Sequence, residues 1–132
     1  MEKNPNFKAQ MSNQVQNPNS TKKYDLKERT AKFGEDIIKF AMTLPRHAIN
    51  NPLINQLVRA TTSIGANYME ADGAESKKDF YHKIATCKKE SKESMHWIHM
   101  ISISNSTTKE KCRKFWKEAH ELALIFSSIL RK

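Results

Sequence analysis

From residue 26 onward, apolar side chains return at steps of three and four, and the stripes they draw divide the chain into four segments. In the first, Leu26, Phe33, Ile37, Phe40, Ala41 and Leu44 share one face and Pro45 ends the run, which predicts a helix over about 25–44. After PRHAINN, Asn51 stands as an N-cap before Pro52 at the first helical position, where a missing N–H costs nothing. Leu53, Leu57, Thr61, Ile64, Tyr68 and Ala71 then line a second helix that Asp72 and Gly73 close. Ser76 and Asp79 have capping-box spacing and open a third helix over about 76–102, with Phe80, Ile84, Cys87, Ser91, Met95, Ile98 and Ile101 near one face. Residues 105–108 turn the chain, and Thr107 with Glu110 repeats the capping-box spacing before a fourth helix. Its stripe is Cys112, Phe115, Trp116, Ala119, Leu122, Ala123, Phe126, Ile129 and Leu130. Four helices with short connections predict an all-α, antiparallel up-down-up-down four-helix bundle over 24–132.

The stripes are wider than one core needs. Ile38 and Met42 sit beside the first stripe, Ile54, Val58, Gly65 and Met69 form a second row on the second helix, and Trp97 and Leu124 point away from the centres of theirs. These eight residues are the candidate interface for self-association, because the second-helix row is contiguous and flanked by the small residues Ser63, Ala66 and Asn67. Ahead of the bundle the pattern is absent. Residues 1–20 carry five Asn, three Gln and two Pro, with Phe7, Met11 and Val15 too sparse to bury a face, so a disordered polar tail is expected over 1–23.

Composition narrows the class. With 132 residues and three Gly, the chain can bury a core without staples and hold long helices. It has no run approaching the length of a membrane span and no apolar stretch behind a basic start, so a cytoplasmic protein without membrane contact is expected. Cys87 and Cys112 are too few and too far apart for a disulfide framework or a metal pair, and are expected to be reduced packing groups. The net charge of +9 is unevenly spread: residues 24–75 hold 6 bases and 7 acids, whereas residues 76–132 hold 13 bases and 6 acids. A positive field concentrated in the second half favours polyanions such as RNA or DNA.

The basic residues that best fit that role are Lys78, Lys88, Lys89 and Lys92 on the third helix, beside His82 and His96, and Arg113, Lys114 and Lys117 on the fourth. Glu90 and Glu93 interrupt the first set, as on an ordinary solvated face. Aromatics are not interleaved with these lysines, since the stripes assign Trp97, Phe115 and Trp116 to core or interface, so binding is expected to be phosphate-driven and weakly sequence-specific. Candidate chemistry is sparse. His96 and His99 stand one turn apart, but no carboxylate or Cys completes a metal set, and no metal or cofactor is expected. Glu70, Asp72 and Glu75 gather around the turn between the second and third helices, and two of them lie near a helix N-terminus, where acids complement the macrodipole without catalysis. Arg113 and His120, seven apart, offer a phosphate-binding cation and a proton-transfer group, the one enzymatic alternative.

The text YDLKERTAKFGEDIIKF, LPRH and NNPLINQLVRATTSIGANYMEADGAESKKDFYHKIATCKKESKESMHWI resembles the four-helix bundle family encoded by intervening sequences within large-subunit ribosomal RNA genes. SIGANY and ESKKDF are its most specific elements, and the fourth helix matches only by pattern. More distantly the chain is similar to the accessory variability determinant of diversity-generating retroelements, whose basic pentamer binds nucleic acid and a reverse transcriptase. The resemblance implies a homopentamer with a basic docking surface and brings no catalytic residues. The expected function is therefore a non-enzymatic homo-oligomeric scaffold contacting nucleic-acid phosphates. The alternatives are an adaptor for another protein, and a ribonuclease-like enzyme using Arg113 and His120.

Overall fold

The computed structural model describes residues 25–132, and the tail expected over 1–23 lies outside them. Four helices follow in order: α1 (Leu26–Ala41), α2 (Asn50–Asp72), α3 (Lys77–Ser104) and α4 (Lys109–Leu130), with a short 3-10 turn, Ser106–Thr108, before the last. Consecutive helices pack side by side as an antiparallel bundle. The ring of four closes between α1 and α4 through aromatics, where Phe115 meets Phe33 and Phe40 at centroid separations of 6.5 and 5.1 Å. The chain is the all-α bundle its periodicity predicts, because each helix buries one stripe against two neighbours. Leu26, Phe33, Ile37 and Phe40, then Leu57, Ile64 and Tyr68, then Phe80, Ile84 and Ile98, then Leu122, Phe126 and Ile129 meet in one core. At roughly 1.5–3 kcal/mol for each large apolar side chain removed from water, this cluster is the main stabilising term.

Local chemistry sets the boundaries, in part differently from expectation. Asp25 caps α1 by accepting from the Glu28 N–H at 2.8 Å. The helix ends at Ala41, not Leu44, because the chain tightens ahead of Pro45, with Thr43 and Leu44 donating to the carbonyls three residues back. Asn51 is not the N-cap of α2. The helix starts at Asn50, two residues earlier than expected, and the His47 ring accepts at Nδ1 from the N–H groups of Ile49 and Asn50 at 3.3 and 3.2 Å. Ser76 caps α3 as expected, accepting from the Asp79 N–H at 3.1 Å, and α3 runs on to Ser104. The Thr107 capping box does not form; Thr108 instead donates its hydroxyl to the Asn105 carbonyl at 2.6 Å inside the 3-10 turn. Among the described residues, no helix is long and apolar enough to cross a membrane.

Candidate nucleic-acid interface

The core stripe of α3 turns its opposite face to solvent, and that face carries Lys78, His82, Lys89, Lys92 and His96, all exposed. Lys88 departs from the set and sits half-buried toward α4. The acids that interrupt the lysines in sequence do not interrupt them in space. Glu90 and Glu93 lie on the side of α3 that faces α2, where Arg59 takes both, donating from Nη1 to Glu90 Oε1 at 3.3 Å and from Nη2 to Glu93 Oε1. Two turns earlier on α3, Lys83 pairs with Glu70 of α2 at 2.6 Å.

The same sorting occurs on α4. Glu118 and Glu121 turn toward α1, where Arg29 donates from Nε and Nη2 to the two oxygens of Glu118 and from Nη2 to Glu121, each at 2.8 Å. The hydrogen bonds to Glu118 raise the Arg29 pKa above its already high range against the opposing effect of burial, so the guanidinium is a permanent bidentate clamp between α1 and α4. Lys78, Lys89, Lys92, Lys114 and Lys117 form no ion pair among the described residues.

The three basic candidates on α4 do not form one group. Arg113 lines a groove between α3 and α4 with His99, Ile103, Lys109 and Trp116, and its Nη1 donates to Glu110 at 2.9 Å. Lys114 points the other way, into the α1–α4 groove with Asp36, Lys39 and Lys111. Lys117 is exposed one turn beyond Arg113. Trp116 was expected in the core stripe, yet it is 38 % exposed at the mouth of the α3–α4 groove. It lies three residues from Arg113 and four from His120, both on the outer side, and that spacing was the available signal. His120 stacks on Trp116 at a centroid separation of 5.1 Å, while Arg113 engages Glu110, so the two residues of the alternative, enzymatic reading are held by different partners.

The candidate interface residues also divide. Ile38, Met42 and Val58 converge in the groove between α1 and α2, with Ile54 as its buried floor at 3 % exposure. Gly65 is half-buried and faces α1: a Cβ there would meet the Thr30 carbonyl at 3.5 Å. Ile54 is thus corrected from an outer to an inner position, and Gly65 faces α1. Met69 is 53 % exposed farther along α2, and Leu124 is 55 % exposed on α4. Trp97 is half-buried on the α2 side of α3 and packs against the core, with its indole N–H buried without a protein acceptor.

The two cysteines are packing groups. Burial pushes the Cys87 thiol up to about 12, and Cys87 donates to the Ile64 carbonyl at 3.5 Å, which makes it a packing group with no thiolate character. Burial likewise raises Cys112, whose sulfur lies 3.5 Å from the Thr108 hydroxyl. His96 meets the Trp97 ring edge to face at 4.8 Å. Among the described residues, no three His, Cys, Asp or Glu side chains gather where they could hold one ion.

Fold and surface define a basic four-helix bundle with its positive charge on the outer sides of α3 and α4. The chain belongs to the 23S rRNA-intervening sequence protein family, whose model matches residues 22–128. It is similar in structure to a protein of unknown function from the S23 ribosomal protein family of Bacteroides thetaiotaomicron. That match has a TM-score of 0.70 and 26 % sequence identity, and covers 80 % of this chain and 98 % of the other. No curated protein matches the chain.

Proposed function

We propose that the protein is a non-enzymatic homo-oligomeric scaffold that holds nucleic-acid phosphates on the outer faces of α3 and α4 with little sequence preference. The observation that carries this reading is the sorting of charge: Arg59 draws Glu90 and Glu93 of α3, and Arg29 draws Glu118 and Glu121 of α4, to the seams of the bundle, which leaves Lys78, Lys89, Lys92 and Lys117 outward and without an ion pair among the described residues. A row of unpaired ammonium groups binds a polyanion by releasing its counterions, without reading base edges. The family's description, which ties it to intervening sequences of 23S rRNA, accords with an RNA-associated role. Exposed Ile38 and Met42 at the α1–α2 groove and Leu124 on α4 lie on different sides of the bundle. Two unlike faces are what a closed ring of identical chains requires, which supports a ring, and the pentamer is the ring that the resemblance implies. Repetition of a modest basic face around such a ring raises affinity by avidity.

A filter-binding titration against RNA and DNA at rising salt tests the proposal. Affinity is expected to fall steeply with salt, by a slope of about 0.7–0.9 per phosphate contact, and the Lys78→Gln/Lys89→Gln/Lys92→Gln variant should flatten that slope by about 2. Absence of binding at low salt, or a slope that ignores the three substitutions, would rule the reading out.

A further inference from the structure

An exposed aromatic ring stands inside the basic surface, where the stripe pattern expects none. Trp116 opens onto the α3–α4 groove, a cleft of about 390 Å³ with Ile98 and Ile103 on its α3 wall and His99, Lys109 and Arg113 at its edges. The His120 ring supports Trp116 from one side, tilted by 30°, and so limits how far the indole can turn. No acid lines the groove. The one acid beside it, Glu110, is engaged by Arg113 in an exposed pair three residues apart, an interaction weak enough for a phosphate to displace.

We propose that this groove is a single-stranded nucleic-acid site in which a base stacks on Trp116 while Lys109 and Arg113 take the flanking phosphates. The chemistry selects single strands because a flat aromatic face pairs with the face of a base, and in a duplex those faces are already stacked on their neighbours. The apolar wall of Ile98 and Ile103 suits the body of a base, and the cations at the rim suit its backbone. This assignment rests on the polyanion-binding reading above, but the two fail separately, since lysine rows bind single and double strands alike whereas the indole does not.

Fluorescence anisotropy with a labelled uridine-rich RNA of about 20 nucleotides, alongside a duplex of equal length, at about 50 mM salt, decides the matter. Trp116→Ala is expected to weaken single-strand binding by at least about 5-fold and leave duplex binding within about 2-fold, with Trp116→Phe retaining most of the affinity. The single strand should also quench a component of the wild-type indole emission that is missing from Trp116→Phe. Equal losses for both RNAs, or no loss for either, would overturn the stacking site and leave the lysine face standing. Binding of neither RNA by the wild-type protein would overturn both readings. A change of assembly mass in both Trp116 variants, measured by light scattering, would assign the ring to a subunit contact instead and overturn the site.

Discussion

Asn50 and Asn105 are amides of the kind a hydropathy pattern leaves at the surface, yet they are 0 % and 8 % exposed and lock one end of the bundle. Each donates Nδ2 to the Oδ1 of the other, at 2.8 and 3.0 Å. Asn50 also donates to the Pro45 carbonyl and accepts from the Ser104 hydroxyl, while Asn105 donates to the Ile101 carbonyl. The network ties the start of α2 to the end of α3 across 55 residues of sequence. Removing one amide strands the other in a dry site, where a lost partner costs about 1–3 kcal/mol. Asn50→Ala and Asn105→Ala should each destabilise by about 2 kcal/mol in urea denaturation, and the double variant by clearly less than the sum. Additive losses would show that the amides act independently. The sequence marked both positions as turn residues, but a partner 55 positions away leaves no trace in local spacing. Arg29 and Arg59 were illegible for the same reason. Their acids stand at helical spacing, yet which neighbouring helix supplies the cation is a tertiary matter.

Among the elements, α1 and α2 differ most from their sequence reading. The second apolar row of α2 looks like a free surface in one dimension, and the fold takes Ile54 and Gly65 of it into the seam with α1. The seam is close because Gly34 of α1 faces Thr62 of α2 and Gly65 faces Thr30 and Ala31 of α1. Room for a methyl remains: a Cβ on Gly65 would lie 3.5 Å from its nearest neighbours, an ordinary contact distance. Both glycines are helical, with no positive φ among the described residues, so neither is there for its backbone freedom. Gly65→Ala should therefore stabilise the protein by about 0.5–1 kcal/mol, seen as a higher denaturation midpoint at constant slope, while Gly65→Leu should destabilise it. A loss of stability in the alanine variant would mean that α1 sits tighter on α2 than described. Helix number, order and most of the buried stripes were legible, since each stripe needs only the 3.6-residue period. The starts of α2 and α4 were not, because His47 and the 3-10 turn supply what a local capping motif was expected to give.

Across the whole molecule, the uneven charge of the sequence becomes a surface with direction. Glu90 and Glu93 of α3 turn to Arg59 and Glu118 and Glu121 of α4 turn to Arg29, while Lys78, Lys89, Lys92 and Lys117 face out. Apolar side chains left exposed at the α1–α2 groove, Met42 at 80 % above all, remain available for a second copy of the chain. We expect light scattering to give a mass near five times the 15.3 kDa chain, and Ile38→Glu/Met42→Glu to reduce it while the helical spectrum is kept. A wild-type monomer would remove the ring and the avidity that follows from it. By itself the sequence determined the four helices, the face each buries and the basic excess of the second half, because these follow from periodicity and count. Only the tertiary structure decided which acids leave the outer surface, which apolar row closes inside the monomer and that Trp116 opens onto a groove. Those outcomes depend on what the neighbouring helix offers at each level of the bundle, and a single helix's spacing carries no record of its neighbour.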